Sequence, residues 1–346
     1  MAPLCRYFGE CGGCSKQHIE YEMQLQAKKK LVEIAAGHEA LVFSGNPYGY
    51  RNRLDMVFEG WRFGLRRKNN PEKIIEVMEC PISDDKINKL IEELQSFFRS
   101  PCAISHVIIR SGNESSLHFM LKEGDAKLAE GQIGEFALST TAQNVSIGKP
   151  EGKVDVLKGS KLISVKYLGK KFAYPVTSFF QNNHEMAEKM QEYCNGLLKK
   201  YDTKNATLLD VYAGVGTFGI INSGLFKSVA IVENVKEAVD AAEANIAENK
   251  AGNAKAYALD ASQIGRLKLG SRVFVIADPP RSGMQEKALI KLKELAPEVL
   301  IYVSCNPAQL RKDIKKFSKY GVKSAALFDF FPQTNHVEAV VELTRK

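Results

Sequence analysis

The second half of the chain shows a regular alternation of short apolar runs and longer helical stretches. Five of the runs have the length and apolar content of buried parallel strands. They span residues 207–212, 229–232, 256–259, 273–277 and 299–302. This alternation predicts a doubly wound α/β domain with a mostly parallel sheet. If a final apolar run, residues 339–343, lies antiparallel to its neighbours, its start reaches the edge where the parallel strands end.

The first half has a different pattern, which predicts an α+β module with mostly antiparallel strands. Amphipathic helices are expected over residues 17–35 and 82–100, and short alternating strands over 54–58 and 103–170. The first helix is expected to bury one apolar face and to expose a lysine run; these positions are Ile19, Leu25, Leu31 and Ile34 on the apolar face and Lys28, Lys29 and Lys30 on the other. Pro175 interrupts the pattern, so we predict domains at 1–174 and 175–346.

The composition narrows the class of protein. The chain has 346 residues, 45% hydrophobic and 25% charged, which is ordinary for a globular protein with two cores. No run has membrane-spanning length and no secretory signal follows the first residue, so we expect a cytoplasmic protein. A net charge of +8 slightly favours a polyanionic partner. Seven cysteines are an odd number, which argues against a complete disulfide framework.

Four of the cysteines are candidate metal ligands. Cys5, Cys11 and Cys14 lie within ten residues, and two glycines between the last two let the backbone curl so that both thiolates face one centre. Cys80 precedes a proline, as the last ligand does in some iron–sulfur motifs. Four thiolates fit a 4Fe-4S cluster or an all-cysteine zinc site, and their spacing does not choose between the two.

Each predicted parallel strand ends on, or runs directly into, a residue that can bind a ligand or react. These residues are Tyr212, Glu233, Asp260, Asp278 and Cys305. Because the carboxyl ends of parallel strands lie at one edge of a sheet, the five side chains should line one crevice, the usual ligand site of this architecture.

A glycine-rich loop with Gly214, Gly216 and Gly219 follows the first of these strands, and Glu233 stands where a carboxylate would accept hydrogen bonds from ribose hydroxyls. These features suit NAD and S-adenosylmethionine equally well. The segment Asp278-Pro279-Pro280 resembles that of class I S-adenosylmethionine-dependent methyltransferases. Many amino-group methyltransferases have an aromatic residue after the two prolines, and Arg281 at this position counts against such a substrate.

The motifs together resemble the RNA uracil-C5-methyltransferases, which form 5-methyluridine in tRNA and large-subunit ribosomal RNA. The resemblance rests on Cys5, Cys11, Cys14 and Cys80, on Phe179 to Asn183, on Asp210 to Gly219, on Asp278 to Gly283, on Ser304 to Pro307 and on the segment around Glu338. It implies a Rossmann-like domain with a seven-stranded sheet and a 4Fe-4S cluster on the four cysteines.

The resemblance also implies the roles of the site residues. It gives Cys305 as the nucleophile and Glu338 as the base, with S-adenosylmethionine held by Gln181, Tyr212, Thr217, Glu233 and Asp278 and lined by Gly214, Gly216 and Asp260. A nucleophilic cysteine needs a lowered pKa, and Arg281 is an electropositive candidate for this effect. Methyl transfer needs no redox step, so we expect the cluster to be structural.

The expected partner is RNA, with neither a membrane nor an obligate protein partner. The basic and aromatic segment 61–68 suits phosphate contacts and base stacking. Many family members carry a small β-barrel RNA-binding domain before the cysteine motif, whereas this sequence begins shortly before Cys5, so RNA affinity is expected to depend on the first half. Alternatives at this point are a methyltransferase for another RNA position, a non-catalytic RNA-binding factor and a dehydrogenase.

Overall fold

The computed structural model describes residues 2–123 and 126–346. Within these ranges, the helices are too short or too polar to cross a membrane. Two large sheets organise the chain, together with one separate hairpin. The α/β class predicted from the sequence is confirmed.

Thirteen helices and strands precede residue 176. They are α1 (Tyr21–Ala36), β1 (Ala40–Phe43), β2 (Arg53–Glu59), β3 (Arg62–Arg67), β4 (Asn70–Ile75), α2 (Asp85–Phe97), β5 (Ile104–Ser111), β6 (Ser115–Leu121), α3 (Ala126–Ser139), β7 (Asn144–Gly148), β8 (Val154–Lys158), β9 (Leu162–Tyr167) and β10 (Lys170–Pro175). The first sheet has the order β4-β3-β2-β5-β6-β7-β8. Its pairs are antiparallel except β6 with β7.

Helix α3 lies in a region that the sequence pattern predicted to be entirely strands. Strands β6 and β7 are parallel, and a parallel pair needs a crossover connection that returns the chain to the same end of the sheet. Helix α3 lies within this crossover, and its residues Ala129, Ile133 and Phe136 join the core beneath the sheet. The helix is therefore explained by the pairing of distant strands.

The second sheet is built mainly from the remaining elements. They are α4 (His184–Leu198), β11 (Thr207–Val211), α5 (Thr217–Asn222), β12 (Ser228–Glu233), α6 (Lys236–Glu248), β13 (Ala254–Ala258), β14 (Val273–Ala277), α7 (Glu286–Leu295), β15 (Val299–Ser304), α8 (Pro307–Lys316), β16 (Tyr320–Phe328) and β17 (Glu338–Arg345). The strand order is β1-β16-β17-β15-β14-β11-β12-β13. Only β17 runs antiparallel to its neighbours, in the direction considered from the sequence.

The predicted seven-stranded sheet is extended by an eighth strand from the first half of the chain. Strand β1 pairs in parallel with β16, and Val32, Ala35 and Ala36 of α1 pack in the same core as the second sheet. Residues of the β9–β10 hairpin, such as Val165 and Tyr174, pack in the core on the other face of this sheet. Packing therefore assigns 21–43 and 162–175 to the second unit, and the predicted boundary at 174/175 falls inside it.

The buried face of α1 differs from the predicted one. Leu31 and Ile34 are 48% and 53% exposed, whereas Gln24, Leu25 and Lys28 are buried. The expectation that Lys28 belongs to a solvated face is wrong, because its ammonium group lies against Asp329 on the segment before β17. A polar partner on a distant segment thus decides which side of this helix faces inward.

Candidate active site

Cys305 and Glu338 lie on neighbouring strands at the carboxyl edge of the second sheet. Ser304, the last residue of β15, pairs with Ala339 of β17, so the next residues on each side, Cys305 and Glu338, face each other. Asp278 follows β14, and its backbone N–H donates to the carbonyl of Val211 at 3.2 Å. The edge therefore brings together one thiol and two carboxyl groups from three adjacent strands.

Burial is the main cause of the raised pKa values of Cys305, Glu338 and Asp278. The pKa of the Cys305 thiol is raised to about 11, first by burial and then by the charges of Glu338 and Asp278. Arg281 acts in the opposite direction but is a smaller contributor. Arg281 therefore acts in the expected direction, but burial and the two neighbouring carboxyl groups outweigh it, so Cys305 does not have the expected lowered pKa in the protein alone.

The two carboxyl groups also titrate far from their ordinary range. Burial raises the pKa of Glu338, and the nearby charge of Asp278 raises it further. Asp278 is partly exposed as a residue, but its carboxyl group is surrounded by protein. This burial raises the pKa of Asp278 as well. Carboxyl groups with pKa values moved towards neutrality are suited to proton transfer at physiological pH.

The loop that contains Cys305 is held to the loop that follows β14. The side chain of Asn306 accepts from the backbone N–H of Gln309 at 3.3 Å and caps α8, and Pro307 occupies the first turn. Asn306 Nδ2 donates to the carbonyl of Arg281 at 3.0 Å. Asn306 therefore fixes Cys305 relative to the segment that begins with Asp278.

The glycine-rich loop between β11 and α5 adopts a conformation that requires glycine. Gly214 and Gly216 have φ values of 54° and 83°, in the left-handed region. The N–H of Gly214 donates to Glu233 at 3.0 Å, so the loop is joined to the end of β12. A short helix, α5, starts at Thr217 directly after the loop. The predicted loop and Glu233 are brought together as expected for a nucleotide-type cradle.

Of the other predicted cofactor residues, Tyr212 and Asp260 follow strands at this edge. Tyr212 has a φ of 62° at the end of β11, which turns the chain towards the glycine loop. Asp260 accepts from the N–H of Ser262 at 2.8 Å and thereby caps a short helical turn. Hydrogen bonds from the side chain and then the backbone of Ser262 lower the pKa of Asp260. Gln181 precedes α4, and its carbonyl accepts from Asn52 Nδ2 at 3.0 Å, so this residue is attached to the first half of the chain.

Asp210 is a site residue to which sequence reasoning assigned no role. It lies fully buried in β11, and its carboxylate accepts from the N–H of Gly219 at 2.8 Å, which holds the start of α5. Burial is the main cause that raises its pKa to about 7. An acidic residue inside an otherwise apolar strand was the available signal, since such a group needs a specific partner.

The four predicted ligand cysteines line one pocket, together with Gln17 and Arg51 among others. All four have free thiols. Burial raises the pKa of Cys14 to about 11, and the thiols of Cys80, Cys11 and Cys5 add to the increase. In the part of the chain that the structure describes, no three His, Cys, Asp or Glu side chains are arranged to hold a metal ion. The four predicted ligand cysteines thus lie in one pocket, but in the described residues they are not arranged to hold a single metal ion.

Comparison with known proteins agrees with this arrangement. A family model described as tRNA (uracil-5-)-methyltransferase matches residues 146–346. An uncharacterized RNA methyltransferase of Caldanaerobacter subterraneus subsp. tengcongensis is 32% identical over 97% of this chain and 83% of its own length. The tRNA (uracil(54)-C(5))-methyltransferase of Pyrococcus horikoshii is 31% identical over 98% of this chain and 85% of its own.

A solved structure is similar over nearly the same extent. It is the Pyrococcus abyssi tRNA (uracil-54, C5)-methyltransferase in complex with S-adenosyl-L-homocysteine. The TM-score is 0.79 at 26% identity, and the match covers 97% of this chain and 86% of that one.

The buried carboxyl group of Asp210 should make stability depend on pH. Its folded-state pKa of about 7 lies above the ordinary 3.8, so stability is highest while the group is protonated and falls as pH rises from about 4 to 7. Asp210→Asn should keep the acceptor for Gly219 and remove about 2 kcal/mol of the decrease between pH 5 and pH 7. Urea unfolding across this range measures the difference.

The matched control is Asp240→Asn, which changes an exposed carboxyl group on α6. The pH dependence that Asp210→Asn loses should remain in this variant. Identical profiles for wild type and Asp210→Asn would contradict the assignment of a raised pKa to Asp210.

Proposed function

Because the chain belongs to the tRNA (uracil-5-)-methyltransferase family, we propose that it methylates carbon 5 of a uridine in tRNA, with S-adenosylmethionine as the methyl donor. The observation that supports this most directly is the register that sets Cys305 opposite Glu338, beside Asp278. Transfer to an exocyclic nitrogen would need no such pair of nucleophile and base. Activity on tRNA is consistent with a cytoplasmic location.

Cys305 is the proposed nucleophile. Carbon 5 of uracil is a weak nucleophile, and addition of the Cys305 sulfur to carbon 6 moves the electron pair of the 5,6 double bond towards carbon 5 and the carbonyl at carbon 4. S-adenosylmethionine supplies the methyl group, and its sulfonium brings a positive charge that favours the thiolate. Burial and the neighbouring Glu338 and Asp278 would otherwise keep the thiol protonated, since all three raise its pKa.

Glu338 is the proposed base for the last step. Its carboxylate takes the proton from carbon 5, the carbon–hydrogen electron pair re-forms the 5,6 double bond, and the bond between carbon 6 and sulfur breaks with its electrons returning to Cys305. A paired and stacked uridine hides both carbons, so the target base must leave the stack to reach this edge. Gln181, Tyr212, Thr217, Glu233 and Asp278 are proposed to hold the donor, with Gly214, Gly216 and Asp260 lining the same cradle.

We propose that Cys5, Cys11, Cys14 and Cys80 bind a 4Fe-4S cluster. Four free thiols in one pocket fit the donor set of such a cluster, and a cationic centre would offset the burial and mutual repulsion that raise the pKa of Cys14. A cluster is larger than one ion, so its ligands can stand apart at the walls of a pocket.

The first sheet is proposed to bind the RNA backbone. An open cleft of about 510 Å³ beside Cys11 contains Arg51, Arg53 and Arg66 together with a single carboxylate, Asp55. Arg53 is paired with Asp55, whereas neither Arg51 nor Arg66 forms an ion pair with a described carboxylate. Arg51 Nε donates to the Arg53 carbonyl, and Arg66 Nη1 donates to the Pro71 carbonyl. Guanidinium groups that no carboxylate neutralises suit contacts with phosphates, and the cleft includes part of the segment predicted from its basic and aromatic residues.

Substitutions at the two proposed catalytic positions should have opposite effects on a covalent intermediate. Cys305→Ala should abolish both 5-methyluridine and the protein–RNA adduct, because no bond to carbon 6 can form. Glu338→Gln should lower turnover on the order of 100-fold or more and accumulate a denaturation-resistant adduct, because the carbon 5 proton is no longer removed. Gel electrophoresis with labelled RNA and nucleoside analysis measure both.

The matched control is Glu342→Gln, a buried glutamate on the same strand that bonds Tyr201 and Ser324. It should not accumulate the adduct. Full turnover by Cys305→Ala, or an unchanged rate for Glu338→Gln, would remove the respective residue from the mechanism.

Protein purified without oxygen should contain about four iron and four sulfide per chain, as a 4Fe-4S cluster requires. Cys80→Ala should lose most of both, since one ligand is removed from the pocket. Cys102→Ala, a buried cysteine outside that pocket, should retain them. Zinc in place of iron and sulfide would disprove the cluster.

Arg51→Ala and Arg66→Ala should each weaken tRNA binding and reduce the slope of log affinity against log salt by about one, as expected for a lost phosphate contact. Arg99→Ala is the control, because this arginine just after α2 is exposed and, among the described residues, makes only a 3.4 Å hydrogen bond to the Ser96 carbonyl. Affinity for S-adenosylmethionine should not change. Salt slopes equal to that of Arg99→Ala would exclude the cleft as the RNA surface.

A further inference from the structure

The segment that delivers Glu338 to the active site, residues 329–337, is here termed the base loop. It connects β16 to β17, and Glu338 is the first residue of β17. Gln333 in this loop has a φ of 65°, in the left-handed region that a residue with a side chain adopts only when its surroundings enforce it. The conformation of the base loop is therefore imposed from outside.

Gln24 of α1 makes two hydrogen bonds to Gln333. Its Oε1 accepts from the Gln333 N–H at 3.1 Å, and its Nε2 donates to Gln333 Oε1 at 3.0 Å. Both side chains are almost fully buried, at 4% and 3% exposed. The same Nε2 also donates to the carbonyls of Lys16 and Ile19. One amide thus joins the base loop to the segment before α1.

That segment begins at the cysteine pocket. The N–H groups of Ser15 and Lys16, which directly follow Cys14, donate to the Gln333 carbonyl at 2.9 and 3.0 Å. Gln333 is therefore bonded through its N–H, its carbonyl and its side chain, and every one of these contacts comes from the first 24 residues. The backbone next to a proposed cluster ligand touches the loop that leads to the proposed base.

Lys28, one helical turn after Gln24, fastens the beginning of the base loop. Its Nζ lies 2.6 Å from Asp329 Oδ1 and donates to the Phe331 carbonyl at 2.9 Å, and Tyr21 donates to Asp329 Oδ2 at 2.8 Å. Burial lowers the pKa of Lys28, although Asp329 opposes this effect. A buried ion pair is seldom more stabilising than apolar packing of similar size, and its better-attested benefit is a fixed geometry.

From these contacts we propose that Gln24 and Lys28 are positioning residues for Glu338, an inference that rests on the proposed function. By holding the base loop they set the carboxylate for the final step, in which it takes the carbon 5 proton while the 5,6 double bond re-forms and the carbon–sulfur bond breaks. Formation of the adduct by Cys305 precedes this step and does not use the base loop. A loosened base loop should therefore slow this final step, in which the carbon–sulfur bond breaks, far more than it slows formation of the adduct.

Helix α1 supplies its own matched controls. Gln24→Met and Lys28→Met remove the polar contacts and approximately keep the side-chain volume. Gln26→Met and Lys30→Met make the same chemical changes at exposed positions of the same helix, where the Gln26 side chain donates to Glu22. Full-length protein, tRNA and S-adenosylmethionine are used throughout. The readouts are kcat, the KM values, the rate of adduct formation in a single turnover and the adduct fraction at steady state.

For Gln24→Met and Lys28→Met we expect kcat to fall on the order of 10- to 100-fold, the scale of a misplacement of about 1 Å. The KM values and the rate of adduct formation should stay within about threefold of wild type. The adduct fraction at steady state should rise as it does in Glu338→Gln. Gln26→Met and Lys30→Met should behave as wild type.

Two results would overturn the positioning role. The first is a kcat for both inner variants within about threefold of their controls. The second is an equal decrease in turnover and in adduct formation, which indicates general disruption of the site. Wild-type protein that forms neither adduct nor 5-methyluridine would instead overturn the proposed function, so the two failures are distinguishable.

Discussion

The antiparallel insertion of β17 between β15 and β16 is the constraint on which the site depends. In an otherwise parallel sheet the carboxyl ends of the strands meet at one edge, and only a reversed strand can present its first residue there. The pairing of Ser304 with Ala339 makes Cys305 and Glu338 neighbours although 33 positions separate them in the sequence. A shift of one residue in this register would turn Glu338 towards the opposite face of the sheet.

The cost of this arrangement is electrostatic. Two carboxyl groups and a thiol in one buried site cannot all be ionised, and each of them has its pKa raised by burial. In the protein alone, burial and the two neighbouring carboxyl groups favour the protonated thiol of Cys305. In the proposed mechanism the positive charge of the methyl donor would favour the thiolate and so link the reactivity of Cys305 to the presence of its co-substrate.

Buried polar contacts connect the two halves of the chain. Helix α1 and strand β1 come from the first half and pack on the second sheet, where Gln24 and Lys28 bond the base loop. The cysteine pocket lies at the start of this same segment, and the backbone of Ser15 and Lys16 bonds the base loop. In the proposed mechanism this connection would relate the cysteine site to catalysis without any redox step.

The sequence by itself determined the parallel sheet, the polar residues that follow its strands and the group of cysteines, because apolar runs and short-range motifs indicate local burial and local chemistry. It also indicated Glu338, but only under the condition that the last strand was reversed. The tertiary structure decided what depends on distant partners: α3 as the crossover for a parallel pair, β1 as an eighth strand, and the inward direction of Lys28 towards Asp329. It also decided the raised pKa of Cys305, since a basic neighbour can be recognised from adjacent motifs but the burial of carboxylates around a sulfur cannot.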